Sequence, residues 1–448
     1  MRRTLLVLGV VAAVLAAAWA IELVLLQTSV LTPFGQKPAL TPLYAFLSPK
    51  ARPSALLFPL LLVVLALSVE RLLDEKRTDR RRFALALAAL AAALPFALFL
   101  VRQSPGSLGA QLTIYPGEEV YYDAIRIETL GEFWRRYTDL MPKLSLHGKH
   151  FPPGQATIIW IVGKVAGTGT LPVAVMVLAV STCGILCCWR ALEVIAGASA
   201  ARQGALLLLA CPSLLDFACT SMDAVFFAFA ALALWAASAA LAPGGRTVTA
   251  VAAGLALLAA TLLSFSALPL GFALLVYAGV RLRGDPARIV RQLGWMAAGY
   301  ALPAVLLRLV VGFDLWRCYQ GARRLNEQFM TAVIGKSPGD LYSRIAYGNL
   351  TAFAIGAGLA LMAAIALRGV LRDRRPEPFS IAVLVTLALM IFGGLYQLET
   401  ERIWLFAMPW LAALAVAPGP FTPAALRVLL IAGGLQALAL EILTFTLW

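Results

Sequence analysis

Both histidines of the 448-residue chain, His147 and His150, stand in the nine residues LHGKHFPPG at 146–154, with Lys149 between them. Upstream, YPGEEVYYDAIRI gathers Glu118, Glu119 and Asp123 within six residues. Two more acids, Asp216 and Asp223, lie seven residues apart in PSLLDFACTSMD, and QLETER at 397–402 sets Glu399 and Glu401 beside Arg402. These side-chain types have complementary uses. A carboxylate near a desolvated surface can take a proton from a hydroxyl. A guanidinium fork matches phosphate oxygens, with Glu399 and Glu401 placed to orient it. Imidazole or Lys149 can donate to the same oxygens.

Each of these residues also has a plainer reading. The first three acids can be solvated loop groups, and the histidines can cap a helix mouth and bond to lipid headgroups. Asp216 and Asp223 can cap a tight turn between two helices. The His-x-x-His spacing invites a metal, but such sites usually need three or four ligands, and only the acids offer a third.

The composition fixes the solvent. Apolar residues make up 61% of the chain and charged residues 13%, and the mean hydropathy is +0.84, far from an ordinary soluble domain. The net charge of +14 comes from short basic clusters between apolar runs, which argues for topology markers and contact with membrane lipids and against nucleic acid. The six cysteines show no CxxC and no paired spacing in the polar loops, so structural disulfides are not expected.

Apolar runs near 5–26, 54–73, 83–102, 172–190, 203–221, 222–241, 248–265, 266–281, 293–312, 347–368, 379–396, 403–416 and 422–442 predict an all-α bundle of about 13 transmembrane spans. The first run has a signal-like pattern and is read as an uncleaved anchor. The arginine-rich connectors RLLDEKRTDRRR, RLRGDPARIVR and RGVLRDRRPEP belong on the cytoplasmic side. That assignment holds only if residues 153–168 dip into the membrane without crossing it. The loop 103–152, the junction from Asp216 to Asp223, the loop 313–346 and the link 397–402 then share the outer face. A loop of this length is usually functional or internally structured. Within it, LGEFWRRYTDLMP spaces its apolar residues as an amphipathic interfacial helix, and the Pro-Pro corner holds the histidines at the mouth of the next helix.

An acidic first outer loop, a juxtamembrane helix, a His-x-Pro-Pro corner and PSLLDFACTSMD at a span's outer end resemble the GT-C class of polytopic glycosyltransferases. The likeness is to bacterial relatives of the protein O-mannosyltransferases and of the lipid A aminoarabinose transferase. It covers residues 83–281 as the catalytic module, preceded by two helices in 1–82 and followed by membrane helices in 282–448. GNLTAF and ETERIWLFAMP extend it more weakly. The resemblance implies transfer of a sugar from a polyprenyl-phosphate carrier to a hydroxyl of a glycan, lipid or protein, at the outer face of the bacterial inner membrane. It points to Asp123, Glu119 or Glu118 as base, and to His147, Lys149, His150, Asp216, Asp223, Glu399, Glu401 and Arg402 as substrate-binding. No cofactor is required by this reading, and a divalent cation is left open. The sequence departs from the family in having Glu118 and Glu119 where an Asp-Glu or Asp-Asp pair is common, and in having Phe151 between His150 and Pro152. A lipid-linked glycan polymerase or ligase is the alternative, as is a flippase, which would be expected to show paired broken helices near mid-membrane and internal repeats.

Overall fold

The computed structural model describes residues 1–26, 43, 45–114, 119–334, 342–369, 378–392, 400–417 and 419–446. As the sequence predicts, these are almost wholly helical. Among the described residues eight helices are long and apolar enough to cross a membrane, and Gly154–Ala166, Thr247–Leu263, Phe265–Arg281, Pro378–Phe392 and Trp404–Val416 are shorter apolar helices. The count of about 13 spans is therefore not established among the described residues. One departure from helix is a ribbon of β1 (Ala45–Leu47) paired antiparallel with β2 (Thr444–Thr446).

The first membrane helices are α1 (Arg2–Ile21), α2 (Leu57–Leu73) and α3 (Arg80–Phe99). Short helices α4 (Val120–Ala124), α5 (Leu130–Arg135), α6 (Tyr137–Leu140) and α7 (Leu146–His150) build the long loop. The single amphipathic helix expected there is broken between α5 and α6. Its apolar stripe survives: Phe133, Tyr137 and Met141 are buried, and Trp134 and Tyr137 meet Phe313 with ring centroids 5.0 and 6.2 Å apart.

The segment expected not to traverse is α8 (Gly154–Ala166). At 1.5 Å per residue it is about 20 Å long, short of the hydrocarbon thickness. Both of its ends meet the same loop. Trp134 donates its indole N–H to Thr157 Oγ1 at 2.8 Å, and the Tyr121 hydroxyl donates to the Thr168 carbonyl just beyond the helix. Gly154 lets α8 touch the chain of α13 (Thr247–Leu263), since a Cβ there would lie 2.2 Å from the Leu262 carbonyl oxygen.

The helices α9 (Thr170–Ala196), α10 (Ala198–Leu208), α11 (Pro212–Phe217) and α12 (Asp223–Leu241) follow. The predicted continuous span over 203–221 is corrected: the helix ends at Leu208 and restarts at Pro212, because proline has no N–H for the helical ladder. Beyond α13 come α14 (Leu268–Arg281), α15 (Pro286–Leu306), α16 (Leu315–Ile334) and α17 (Tyr342–Arg368). The last is itself interrupted at Gly358, whose φ of 81° is left-handed and whose Cα packs onto Pro212. Broken backbone inside a membrane must find partners. Gln436 supplies them, accepting from the Leu359 N–H at 2.6 Å and donating to the Ile355 carbonyl at 3.0 Å. The fold closes with α18 (Pro378–Phe392), α19 (Thr400–Ile403), α20 (Met408–Val416) and α21 (Pro423–Leu443).

Helix order puts the connectors after α2, α9, α12 and α14 at the end of the bundle away from the long loop. There Arg80 and Arg190 converge on Glu193, Arg202 donates to the Leu72 carbonyl at 2.8 Å, and Arg288 donates to the Ala242 carbonyl. The clusters RLLDEKRTDRRR and RLRGDPARIVR thus share one end and the acidic loop holds the other, while most of RGVLRDRRPEP lies outside the described residues.

Candidate functional site

Asp123 sits on α4 and is 6% exposed. Its carboxylate accepts from the Ser145 backbone N–H at 3.0 Å and from the Ser145 hydroxyl at 2.5 Å. Ser145 Oγ in turn accepts from the Gly148 N–H at 3.0 Å as the N-cap of α7. A Cβ at Gly148 would lie 2.2 Å from Asp123 Oδ2, so glycine is what permits this approach. Burial raises the Asp123 carboxyl above its usual range, against the opposing pull of the Ser145 hydrogen bonds. The buried Tyr137 hydroxyl donates between the carbonyls of Gly148 (2.9 Å) and Phe151 (2.8 Å). Asp123 and Tyr137 together clamp the short helix that carries the histidines.

Glu119 precedes α4 and turns the other way. Its Oε2 lies 3.8 Å from His147 Nδ1, with side-chain exposures of 14% and 11%. Both line a cavity that Asp223 and Arg402 also line. Arg402, reaching in from α19, places Nε 3.3 Å from Asp223 Oδ2. Asp223 also accepts from the Ser221 hydroxyl at 3.1 Å. The cavity thus gathers a carboxylate, an imidazole and a carboxylate-held guanidinium in its lining. Gln155 of α8 completes the wall and donates to the Leu263 carbonyl at 3.1 Å.

The other sequence candidates separate from this cavity. His150 points toward α16, its ring 5.8 Å from Phe329. Burial first, and then the neighbouring His147, lower its pKa from 6.5 to about 4, so it is neutral at physiological pH. Lys149 is half-buried and near enough to Asp123 to favour its charged form. Asp216 faces a neighbouring cavity with Arg102 and Glu441, although it lies on the same segment as Asp223. Glu118 and Glu399 lie outside the described residues, as does the side chain of Glu401.

No family model and no curated protein matches the chain. Among solved structures it is similar to ArnT from Cupriavidus metallidurans bound to undecaprenyl phosphate, at 18% identity and a TM-score of 0.44 over 66% of this chain and 57% of that one. It is also similar to the oligosaccharyltransferase of Archaeoglobus fulgidus in complex with Zn and sulfate, at 15% identity and a TM-score of 0.40 over 80% of this chain and 53% of that one. The chain spans little more than half the length of each.

Among the described residues no three His, Cys, Asp or Glu side chains come together to hold a metal ion. Glu119 and His147 offer two ligand atoms, fewer than a protein-built site commonly provides.

Several site residues were not singled out from sequence. Ser145 and Tyr137 act through backbone contacts that no spacing rule reveals. Ser221 had a local signal, a serine two residues before an acid that opens a helix. Gln111, which lines the cavity, and Glu441, which lines the neighbouring one with Asp216, come from distant parts of the chain, with no local signal to pair them.

Proposed function

We propose that this protein is an integral membrane glycosyltransferase that takes a sugar, hexose or pentose, from a polyprenyl-phosphate carrier and joins it to an acceptor hydroxyl at the outer face of the bacterial inner membrane. The observation that carries this reading is one cavity, at the loop end of an apolar bundle, lined by Glu119, His147, Arg402 and Asp223. Glu119 accepts the acceptor hydroxyl proton as the oxygen bonds to the sugar's anomeric carbon. The bond from that carbon to the phosphate oxygen breaks, and the electron pair leaves with the polyprenyl phosphate. Arg402, held by Asp223, meets the growing phosphate charge from a fixed position, where little reorganisation is needed. His147 holds the Glu119 carboxylate toward the cavity. On the outer face no cytoplasmic nucleotide sugar is at hand, so the donor reaches the site from within the membrane.

A flippase reading draws on the paired breaks at Pro212 and Gly358, a feature that the sequence did not reveal and that discontinuous transporter helices share. Purified protein in nanodiscs, given a panel of polyprenyl-phosphate sugars and hydroxyl acceptors, should form glycosidic product. Transfer from a nucleotide sugar in carrier-free protein would overturn the donor assignment. Movement of lipid-linked sugar across liposomes without product would favour the transporter.

A further inference from the structure

The catalytic cavity is the first of three that adjoin in a row. It shares Gln111 and Thr220 with a second cavity of about 360 Å³. The second shares Asp216, Glu441 and Thr444 with a third of about 470 Å³. Their linings differ in kind. The second contains Asp216, Glu441, Arg102, Gln103 and Gln111 together with the rings of Phe99 and Phe445. The third is walled mainly by Leu43, Ala45, Leu98, Ile355, Ala437 and Leu440, and it lies at the meeting of the two helix breaks. Backbone without helical partners is tolerated at membrane depth where it is packed in protein or lines a cavity.

The polar groups of the second cavity are only partly occupied by one another. Asp216 and Glu441 hydrogen-bond side chain to side chain, which requires a proton shared between two carboxyl groups. Arg102, 4% exposed, donates through Nη1 to the carbonyls of Ser48 (2.7 Å), Glu441 (3.1 Å) and Thr444 (2.6 Å). Among the described residues its buried Nε has no hydrogen-bond partner, and neither has the buried Oε1 of Gln111 on the wall shared with the catalytic cavity. Buried polar atoms in this state call for a partner. Planar acids, an amide and a guanidinium beside aromatic rings suit a ring bearing several hydroxyl groups, which offers donors and acceptors around an apolar face.

Resting on the glycosyltransferase reading, we propose that the second and third cavities bind the acceptor, and that the acceptor is an amphiphile with a hydroxylated, sugar-like headgroup. The order of the cavities favours acceptor over donor. A polyprenyl-phosphate sugar carries its chain and its sugar on opposite sides of the phosphate. With that phosphate at Arg402, a donor sugar directed toward the second cavity leaves its own chain pointing away from the third. An apolar group beyond Asp216 and Glu441 therefore belongs to a second molecule, whose headgroup presents a hydroxyl past Gln111 and Thr220 to Glu119.

The test uses the full chain in nanodiscs and measures binding of n-octyl glucoside, n-octanol, free glucose, a serine-containing peptide and undecaprenyl phosphate. The glucoside should bind more tightly than octanol or glucose. Glu441→Gln and Gln111→Ala should each weaken it about tenfold, the loss expected when a hydrogen bond involving a charged or buried group is removed, and Ala437→Leu should weaken it by filling the apolar cavity. Undecaprenyl phosphate binding by Glu441→Gln and Ala437→Leu should change less than about twofold, which also shows that both are folded; the fold of Gln111→Ala, whose side chain borders the catalytic cavity, is checked by its thermal midpoint. If undecaprenyl phosphate fails to bind the unaltered protein, the glycosyltransferase reading falls and this one with it. If it binds but the glucoside binds no better than octanol, or ignores these substitutions, the acceptor site alone is wrong. Peptide binding weakened by the same substitutions would overturn the amphiphile in favour of a protein acceptor.

Discussion

Arg402 Nε lies 3.3 Å from Asp223 Oδ2, and the two side chains are only 7% and 4% exposed. An ion pair this deep in an apolar bundle is an expensive way to hold helices together, because both charges must be desolvated and apolar residues of similar size would often serve as well. Its location explains it better. Asp223 opens α12 with Ser221 bonded to it, and it fixes a guanidinium at the edge of a cavity that a phosphate could share.

This gives a way to separate stability from binding. Removing one partner of a buried pair leaves the other charge uncompensated and costs about 3–5 kcal/mol, so Arg402→Ala and Asp223→Ala should each lower the thermal midpoint. The double variant Arg402→Met with Asp223→Leu should recover most of that stability and still fail to bind undecaprenyl phosphate. Thermal unfolding and lipid-phosphate binding on the same preparations check both halves. A double variant that binds as the unaltered protein does would remove Arg402 from the donor site.

His150 makes a prediction about acid. It faces α16 beside Phe329 and the Leu325 carbonyl, with His147 and Lys149 on its own helix, and its pKa falls from 6.5 to about 4. The unfolded chain therefore binds a proton between those values that the folded chain refuses. Its contribution to stability is complete above about pH 6.5 and is lost as the pH falls toward 4. His150→Phe should flatten the decline of the thermal midpoint between pH 6.5 and 4 and leave turnover at pH 7.5 nearly intact. An unchanged decline would show that other groups set it.

Much of this molecule was legible in advance because membrane helices advertise themselves through apolar length, and basic connectors through charge. The same logic reads residues 153–168 as too short to cross, from their length and Lys164, and α8 there has 13 residues. What sequence could not show were features decided by distant partners. Pro212 marks a possible break, but Gly358 and Gln436, which make the break tenable, come from other helices. Asp123 and Glu119 looked equivalent on one loop. The structure turns Glu119 into the cavity and Asp123 toward Ser145 at the start of α7, because Glu119 is the extended N-cap of α4, with φ −84° and ψ 131°, and so escapes the helical geometry in which residues four apart share a face. His147 and His150 also meet different neighbours, Glu119 and Phe329.

Membrane orientation can be checked directly. The connector containing Gly284 lies at the basic end, whereas Arg323 of α16 is exposed beside the long loop. In a background lacking the six native cysteines, Arg323→Cys should react with a membrane-impermeant maleimide in intact cells and Gly284→Cys only after lysis. The reverse pattern would put the candidate site on the cytoplasmic side and reopen the choice of a nucleotide-sugar donor.

The assignment of the base rests on Glu119 and Asp123 failing in different ways. Glu119→Gln keeps the shape of the side chain and removes its capacity to take a proton. Among the described residues its carboxylate comes no nearer to the His147 imidazole than 3.8 Å, so little structure depends on it. Turnover should fall by about two to four orders of magnitude, as for loss of a general base, with undecaprenyl phosphate binding within about twofold and an unchanged thermal midpoint. Asp123→Asn should behave otherwise. The carboxylate accepts both the N–H and the hydroxyl of Ser145, and an amide cannot accept with both of its ends. The buried mismatch should cost about 1–3 kcal/mol, loosen α7 and displace His147, lowering activity together with stability. Asp123→Ser or Asp123→Ala, smaller and without an opposed N–H donor, should then be no worse than the asparagine variant. Full turnover by Glu119→Gln would eliminate it as the base. A stable Asp123→Asn variant with intact donor binding and no turnover would transfer that role to Asp123, and would require α4 to rotate during the reaction so that the carboxylate leaves Ser145 and reaches the cavity.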